Sequence, residues 1–169
     1  MENLTHYYFI FLILQNMFME IERRFLVDKD IFNTIKQTLQ YEDIRQKFLR
    51  NDWSLRTRIK NKKYITLKKN ISSMSREEYE SEISPELAKL LDVFGEYEIY
   101  KRRYYYIQGF LTWEIDEYFG DNELIVAEVE LTSENQEITM LEFIYMEITN
   151  DKKYRNSELA KNPYKKWKV

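Results

Sequence analysis

Carboxylates spaced two residues apart recur along this 169-residue chain: Glu20 with Glu22, Glu78 with Glu80 and Glu82, and Glu128 with Glu130. Glu114 and Asp116 repeat the spacing, and bases follow the same rhythm at Arg24, at Arg56, Arg58 and Lys60, at Lys68, and at Lys101 and Arg103. On a β-strand, side chains two apart share a face. Arrayed carboxylates are hard oxygen ligands for divalent cations, and arrayed bases are partners for phosphate oxygens. Seven bases against nine acids leave this set at -2. Two divalent cations would reverse that sign, and a triphosphate of about -4 to -5 would return it to a modest residual charge. Without a cation between them, carboxylates beside a polyanion are unfavourable. Taken singly, each pair also fits the solvated face of a half-exposed strand. Periodicity does not tell inside from outside: either the apolar partners (Ile21 and Phe25, Ala127 and Val129) line an ordinary core, or the charged face lines a wet interior and helices cover the apolar face.

Composition removes several other chemistries. There is no Cys, which excludes disulfides, zinc-thiolate sites and cysteine nucleophiles, and the one His, His6, leaves no triad unless the extreme N-terminus takes part. Three glycines, Gly95, Gly109 and Gly120, cannot write a phosphate-cradling glycine loop, so phosphate chemistry must use side chains. The 26 Lys and Arg against 29 Asp and Glu lack the basic excess of a nucleic-acid binder. With 14 Tyr, 10 Phe and 3 Trp, the chain carries the apolar surface of one packed domain, not of a disordered segment.

The elements that must position these residues are mostly strands. Period-two patterning predicts eight, at Met19–Val27, Asp43–Leu49, Trp53–Lys60, Lys63–Lys69, Ser75–Ile83, Glu96–Tyr106, Gln108–Tyr118 and Glu123–Thr132. Short connections imply antiparallel pairing. Asp30 is placed to cap a helix over IFNTIKQTL, and Ser84, Pro85 and Gly95 delimit another over PELAKLLDVF. From about Ile138 the tail reads as helical and irregular. Within YRNSELA, Tyr154–Ala160, Asn156 or Ser157 could cap a helix that holds the tail over one mouth of the fold, or Asn156 or Lys161 could touch substrate.

Residues 1–18 form an apolar extension containing YYFIFLIL; the run is too short to span a bilayer and lacks a positive leader, so residues 19–169 are read as the functional domain. The strand pattern fits a mainly β (α+β) fold with flanking helices, whose eight strands would enclose room for one small ligand if they closed with the charged face inward.

MEIERRFLV (Met19–Val27) resembles the ExExK signature of the CYTH family, the triphosphate tunnel metalloenzymes. The ordered segments RTRIKNKKYITLK, SREEYESEI, YKRRYY, TWEIDEYFGDN, LIVAEVEL and YRNSELAKNPY extend the resemblance to nearly everything after residue 18, closest to the bacterial single-domain members. The resemblance implies an eight-stranded antiparallel closed barrel forming a charged tunnel, with flanking helices and an inward-facing charged lining, and hydrolysis of triphosphates, foremost inorganic tripolyphosphate, with Mg2+ or Mn2+. It assigns metal binding to Glu20, Glu22, Glu78, Glu80, Asp116, Glu128 and Glu130, and substrate binding to Arg24, Arg56, Arg58, Lys68, Lys101 and Arg103. Glu20, Glu22, Lys101 and Glu130 are the expected catalytic groups. Class IV adenylate cyclases and thiamine triphosphatases share the family, and a polyphosphate-binding module is the non-enzymatic alternative. The implied partner is a small triphosphate-containing molecule, with no nucleic acid and no membrane; a homodimer is left open, and the cytoplasm is the implied location. Two departures stand out: Arg24 replaces the signature Lys, and KNISSMS (Lys69–Ser75) lacks the glycine common there.

Overall fold

The computed structural model describes residues 17–49, 56–59 and 62–167, with side chains from 19–48 and 62–167. β1 (Met17–Val27), β2 (Gln40–Leu49), β3 (Arg56–Ile59), β4 (Lys63–Asn70), β5 (Ser75–Ile83), β6 (Gly95–Gln108), β7 (Leu111–Tyr118), β8 (Ile125–Glu130) and β9 (Ile144–Glu147) form one sheet. Their order is β5-β4-β3-β2-β6-β7-β8-β1-β9, and every pairing is antiparallel. At the β6–β7 hairpin Gly109 takes φ +61, a left-handed turn position that favours glycine.

The expected closed eight-stranded barrel is corrected. Among the described residues the sheet has nine strands and is an open, curled half-barrel within a mixed α and β fold. It curls far enough for β5 to meet β1, but only over Met17–Ile21. The register sets that limit: Ser75, the first residue of β5, lies opposite Ile21, and the preceding loop ends the contact, with Met74 O accepting the Glu22 N–H at 3.1 Å. Beyond that point β9 pairs with β1 from Phe25 to Val27, opposite the β8 edge. β9 falls in the tail expected to be helical and irregular, and it contributes four residues, short enough to escape a period-two reading. The expected strand at Trp53–Lys60 is described only over Arg56–Ile59; Trp53 and Lys60, like the apolar run of the N-terminal extension, lie outside the described residues.

Both faces of the sheet are covered. One is apolar, where Phe25, Trp113, Ile115, Ala127 and Val129 are buried with Leu141 and Phe143. α1 (Lys29–Ile35) lays Phe32 into this layer, its ring 5.3 Å from Tyr104 and 5.5 Å from Phe143. Its cap is Asp28, which accepts from Asp30 N and Ile31 N; Asp30, expected as the cap, sits inside the first turn. α2 (Pro85–Val93) is capped as expected, Ser84 Oγ accepting from Leu87 N at 3.2 Å. α3 (Asn156–Lys161) packs on β6 near the C-terminus, and a second apolar cluster joins Leu159 and Tyr154 to Leu26, Ile99, Tyr118 and Val126 at one end of the other face. Among the described residues no helix is long and apolar enough to cross a membrane.

Candidate active site

That other face is the charged one, and much of it is buried. Glu22, Arg24, Lys101, Arg103 and Asp116 are all under 5% exposed. Lys68 of β4 reaches Glu20 of β1 at 3.0 Å past the intervening β5, and Arg103 of β6 reaches Glu128 of β8 at 3.3 Å past β7. Neighbouring strands lie about 4.8 Å apart, so side chains two strands apart meet only where the sheet curls towards them. The charges therefore line the concave face.

Two networks divide this face. In the first, Arg76 donates to Glu20 and Glu22, and Lys68 pairs with Glu20 and Glu78. Glu80 accepts from the buried Thr66 hydroxyl at 2.8 Å, and Arg24 Nε lies 3.5 Å from Glu22. In the second, Arg103 holds Asp116 through two parallel bonds of 2.7 Å, while Lys101 also pairs with Asp116, and Glu114 takes the remaining arm of the Arg103 fork. Glu22 and Glu130, register partners on β1 and β8, lie between the two networks.

The electrostatics follow from this crowding. Burial, then the Glu128 and Glu20 carboxylates, push Glu22 up to about 7 against the pull of Arg76 and Lys68. Burial, Glu20 and Glu114 likewise raise Glu130, which is the exposed carboxylate of the group. Burial opposes ionisation of Glu20 and Asp116 as well, but Lys68 and Arg76 hold the first well below the carboxylate range, and Arg103 and Lys101 hold the second there. Burial and the Arg103 charge bring Lys101 down to about 8.

The concave face thus gathers Glu20, Glu22, Arg24, Lys68, Glu78, Glu80, Lys101, Arg103, Asp116, Glu128 and Glu130. Glu82 leaves it and pairs with Lys62 in solvent. Arg56 and Arg58 are in register with Phe48 and Gln46 on β2, and their side chains lie outside the described residues. Arg76 was missed by the sequence reading, although it shares the parity of Glu78 and Glu80; attention to the carboxylate repeat hid it. Neither Asn156 nor Ser157 caps α3: the N-cap is Arg155, and Asn156 Oδ1 instead accepts the Tyr118 hydroxyl.

Among the described residues no three carboxylates converge closely enough to hold a metal ion as they stand. The bases occupy them. The donor chemistry nonetheless fits a hard divalent cation, because the raised Glu22 and Glu130 are carboxylates crowded by like charge that a cation would relieve.

The class these features define is a mixed α and β protein built on a curled antiparallel sheet whose concave face carries interlocked carboxylates and bases. More particularly, the chain belongs to the CYTH domain family, which residues 19–162 match. An inorganic triphosphatase of Acetivibrio thermocellus is 39% identical over 154 residues, covering 88% of this chain and 97% of that one. The solved inorganic triphosphatase NE1496 is 29% identical, with a TM-score of 0.58 over 83% of this chain and 93% of its own. The PH1012 protein of Pyrococcus horikoshii OT3 is 25% identical, with a TM-score of 0.51 over 69% and 80%. The resemblance carried by MEIERRFLV and the segments after it is borne out.

Proposed function

We propose that this protein hydrolyses triphosphates, with inorganic tripolyphosphate going to pyrophosphate and phosphate. The observation that carries this reading is the buried concave face, where bases that suit phosphate oxygens interlock with carboxylates that suit divalent cations. The likeness to inorganic triphosphatases supports it.

Lys68, Arg76, Lys101, Arg103 and Arg24, with Arg56 and Arg58 of β3, bind and orient the anion. Asp116 uses both oxygens on Arg103 and so fixes its fork; the partly exposed Glu114 is the partner that Arg103 exchanges for phosphate. Glu20, Glu22, Glu78, Glu80, Asp116, Glu128 and Glu130 are the groups that would hold Mg2+ or Mn2+. A bound divalent cation would screen the phosphate charge and acidify a water. In the reaction, the water oxygen bonds to a terminal phosphorus and the bond from that phosphorus to the leaving pyrophosphate oxygen breaks. Glu130, the carboxylate of this face most open to solvent, takes the water proton. A triphosphate substrate and a divalent cation are consistent with a cytoplasmic location.

Phosphorus NMR of products from tripolyphosphate, ATP and thiamine triphosphate, each with Mg2+, with Mn2+ and with chelator, tests the proposal. Metal-dependent pyrophosphate and phosphate, formed fastest from tripolyphosphate, are expected. Cyclic AMP from ATP, or folded protein that turns over none of the three, would sink it.

A further inference from the structure

α2 presents its polar side to the sheet. Asp92 pairs with Arg45 at 3.1 Å and with Lys47 at 3.5 Å on the outer face of β2, and the Lys47 ammonium also donates to Asp92 O at 2.7 Å. Ala88, one turn before Asp92, is the buried residue of this helix. Leu87, Leu90, Leu91 and Phe94 follow the i, i+3, i+4, i+7 spacing of an apolar stripe. That stripe lies on the side away from the sheet: Leu87 is 41% exposed, Leu90 57% and Phe94, at the C-cap, 62%, with Val93 beside them at 79%. An amphipathic helix buries its apolar stripe, and a contiguous apolar patch left in water marks a contact surface.

The register of β1 indicates which segment reaches it. β1 runs antiparallel to β5 with Met17 opposite Tyr79, so backward from Met17 it points along β5 towards Ile83. Pro85 opens α2 two residues after Ile83. Residues 1–16 lie outside the described residues. They include the apolar run YYFIFLIL, Tyr7–Leu14, and Asn3–Met19 contains no Asp, Glu, Lys or Arg. Tyr79 to Ile83 is about 13 Å along the strand. The run itself spans up to about 26 Å when extended, against about 14 Å for the length of α2. It therefore has the reach to arrive at the helix and the length to cover the stripe.

We propose that Tyr7–Leu14 docks on the outward face of α2 in the same chain, over Leu87, Leu90 and Phe94. The contact makes the N-terminal extension part of the folded unit and ties β1 to the helix that follows β5, beside the seam where the sheet curls back on itself. The occupant is the chain's own segment and not a second copy, because β1 delivers it to this helix at an effective concentration that a free partner would have to match.

The protein has no cysteine, so pairs introduced into the full-length chain report proximity directly. I10C is combined with L90C or, as a control, with F110C, which is exposed at the β6–β7 hairpin at the other end of β6 from α2. Each is treated with a short bis-maleimide at low protein concentration, and the products are mapped by mass spectrometry. An intrachain link between positions 10 and 90, formed at least about tenfold faster than the link to position 110, is expected. Equal linking of both pairs, or none, would overturn the proposal. An interchain link would also overturn it and assign the face to a second copy. The second measurement is the melting temperature of L90E, I10E and the double variant. Each single change should lower it by a few degrees, and the double by no more than the larger single loss, since both break one contact. Wild-type melting in L90E, as for a solvent-facing residue, or additive losses would count against the docking. A destabilised L90E without the 10–90 link would hand the stripe to another segment and overturn the assignment as well.

Discussion

Glu130 differs from its neighbours in being exposed and in lacking a bidentate base. Glu20 is locked by Lys68 and Arg76, and Asp116 by Arg103 and Lys101, so deleting either takes a partner from two bases of the network and confounds activity with stability. Glu130 avoids that difficulty. E130Q is expected to lower metal-dependent phosphate release by about a hundredfold, a scale typical of a positioned acid–base group. Its melting temperature without ligand should match wild type or exceed it, because a carboxylate raised by burial and then by Glu20 and Glu114 has been removed. Phosphate release at the wild-type rate would take Glu130 out of the site. At this scale much was legible: the two-residue spacing placed Glu20, Glu22, Arg24, Lys101, Arg103 and Asp116 on one face. The sequence did not indicate which carboxylate each base would take. Arg76 gained meaning only from neighbours more than fifty residues away in the chain.

Among the elements, β9 is held to β1 by a two-bond clamp, Arg23 Nε to Glu147 at 2.9 Å and Nη2 to Glu147 at 2.6 Å. The hydrogen bond from Arg23 lowers the Glu147 pKa below its usual 4.5, against burial. The folded state therefore releases this proton at a lower pH than the unfolded chain does. The clamp's contribution is complete above about 4.5 and is lost as pH falls through the lowered folded value. Chemical denaturation of wild type and R23Q should show a small wild-type advantage at pH 7, since the pair is partly exposed, and that advantage should shrink as pH drops below 4.5. An advantage independent of pH would mean that the clamp does not set the Glu147 titration. Strands with strict alternation were read from sequence, as was the Ser84 cap. β9 was not, because four residues give too little period and its pairing with β1 is fixed by contacts over a hundred residues apart.

For the whole molecule, the segment after β9 and the half-barrel are one mechanical unit. Leu159 is fully buried in the cluster that closes the end of the charged face. L159A should lower unfolding stability by about 3 kcal/mol, the range for a buried leucine truncated in a packed core, as measured by denaturant titration. A loss under about 0.5 kcal/mol, the scale of a surface change, would mean that this segment is not packed as described. What the sequence determined by itself was the chemistry: a charged alternation with no cysteine, one histidine and no phosphate loop left side-chain carboxylates and bases as the reactive set, and the family followed from their order. Tertiary structure alone decided the closure and the occupancy of that set. Alternation fixes which side chains share a face, since that is local backbone geometry. Whether the sheet closes depends on how far β5 runs along β1, and which carboxylate a guanidinium meets depends on how strongly the sheet curls. Both are set by contacts between distant segments, which no local period records.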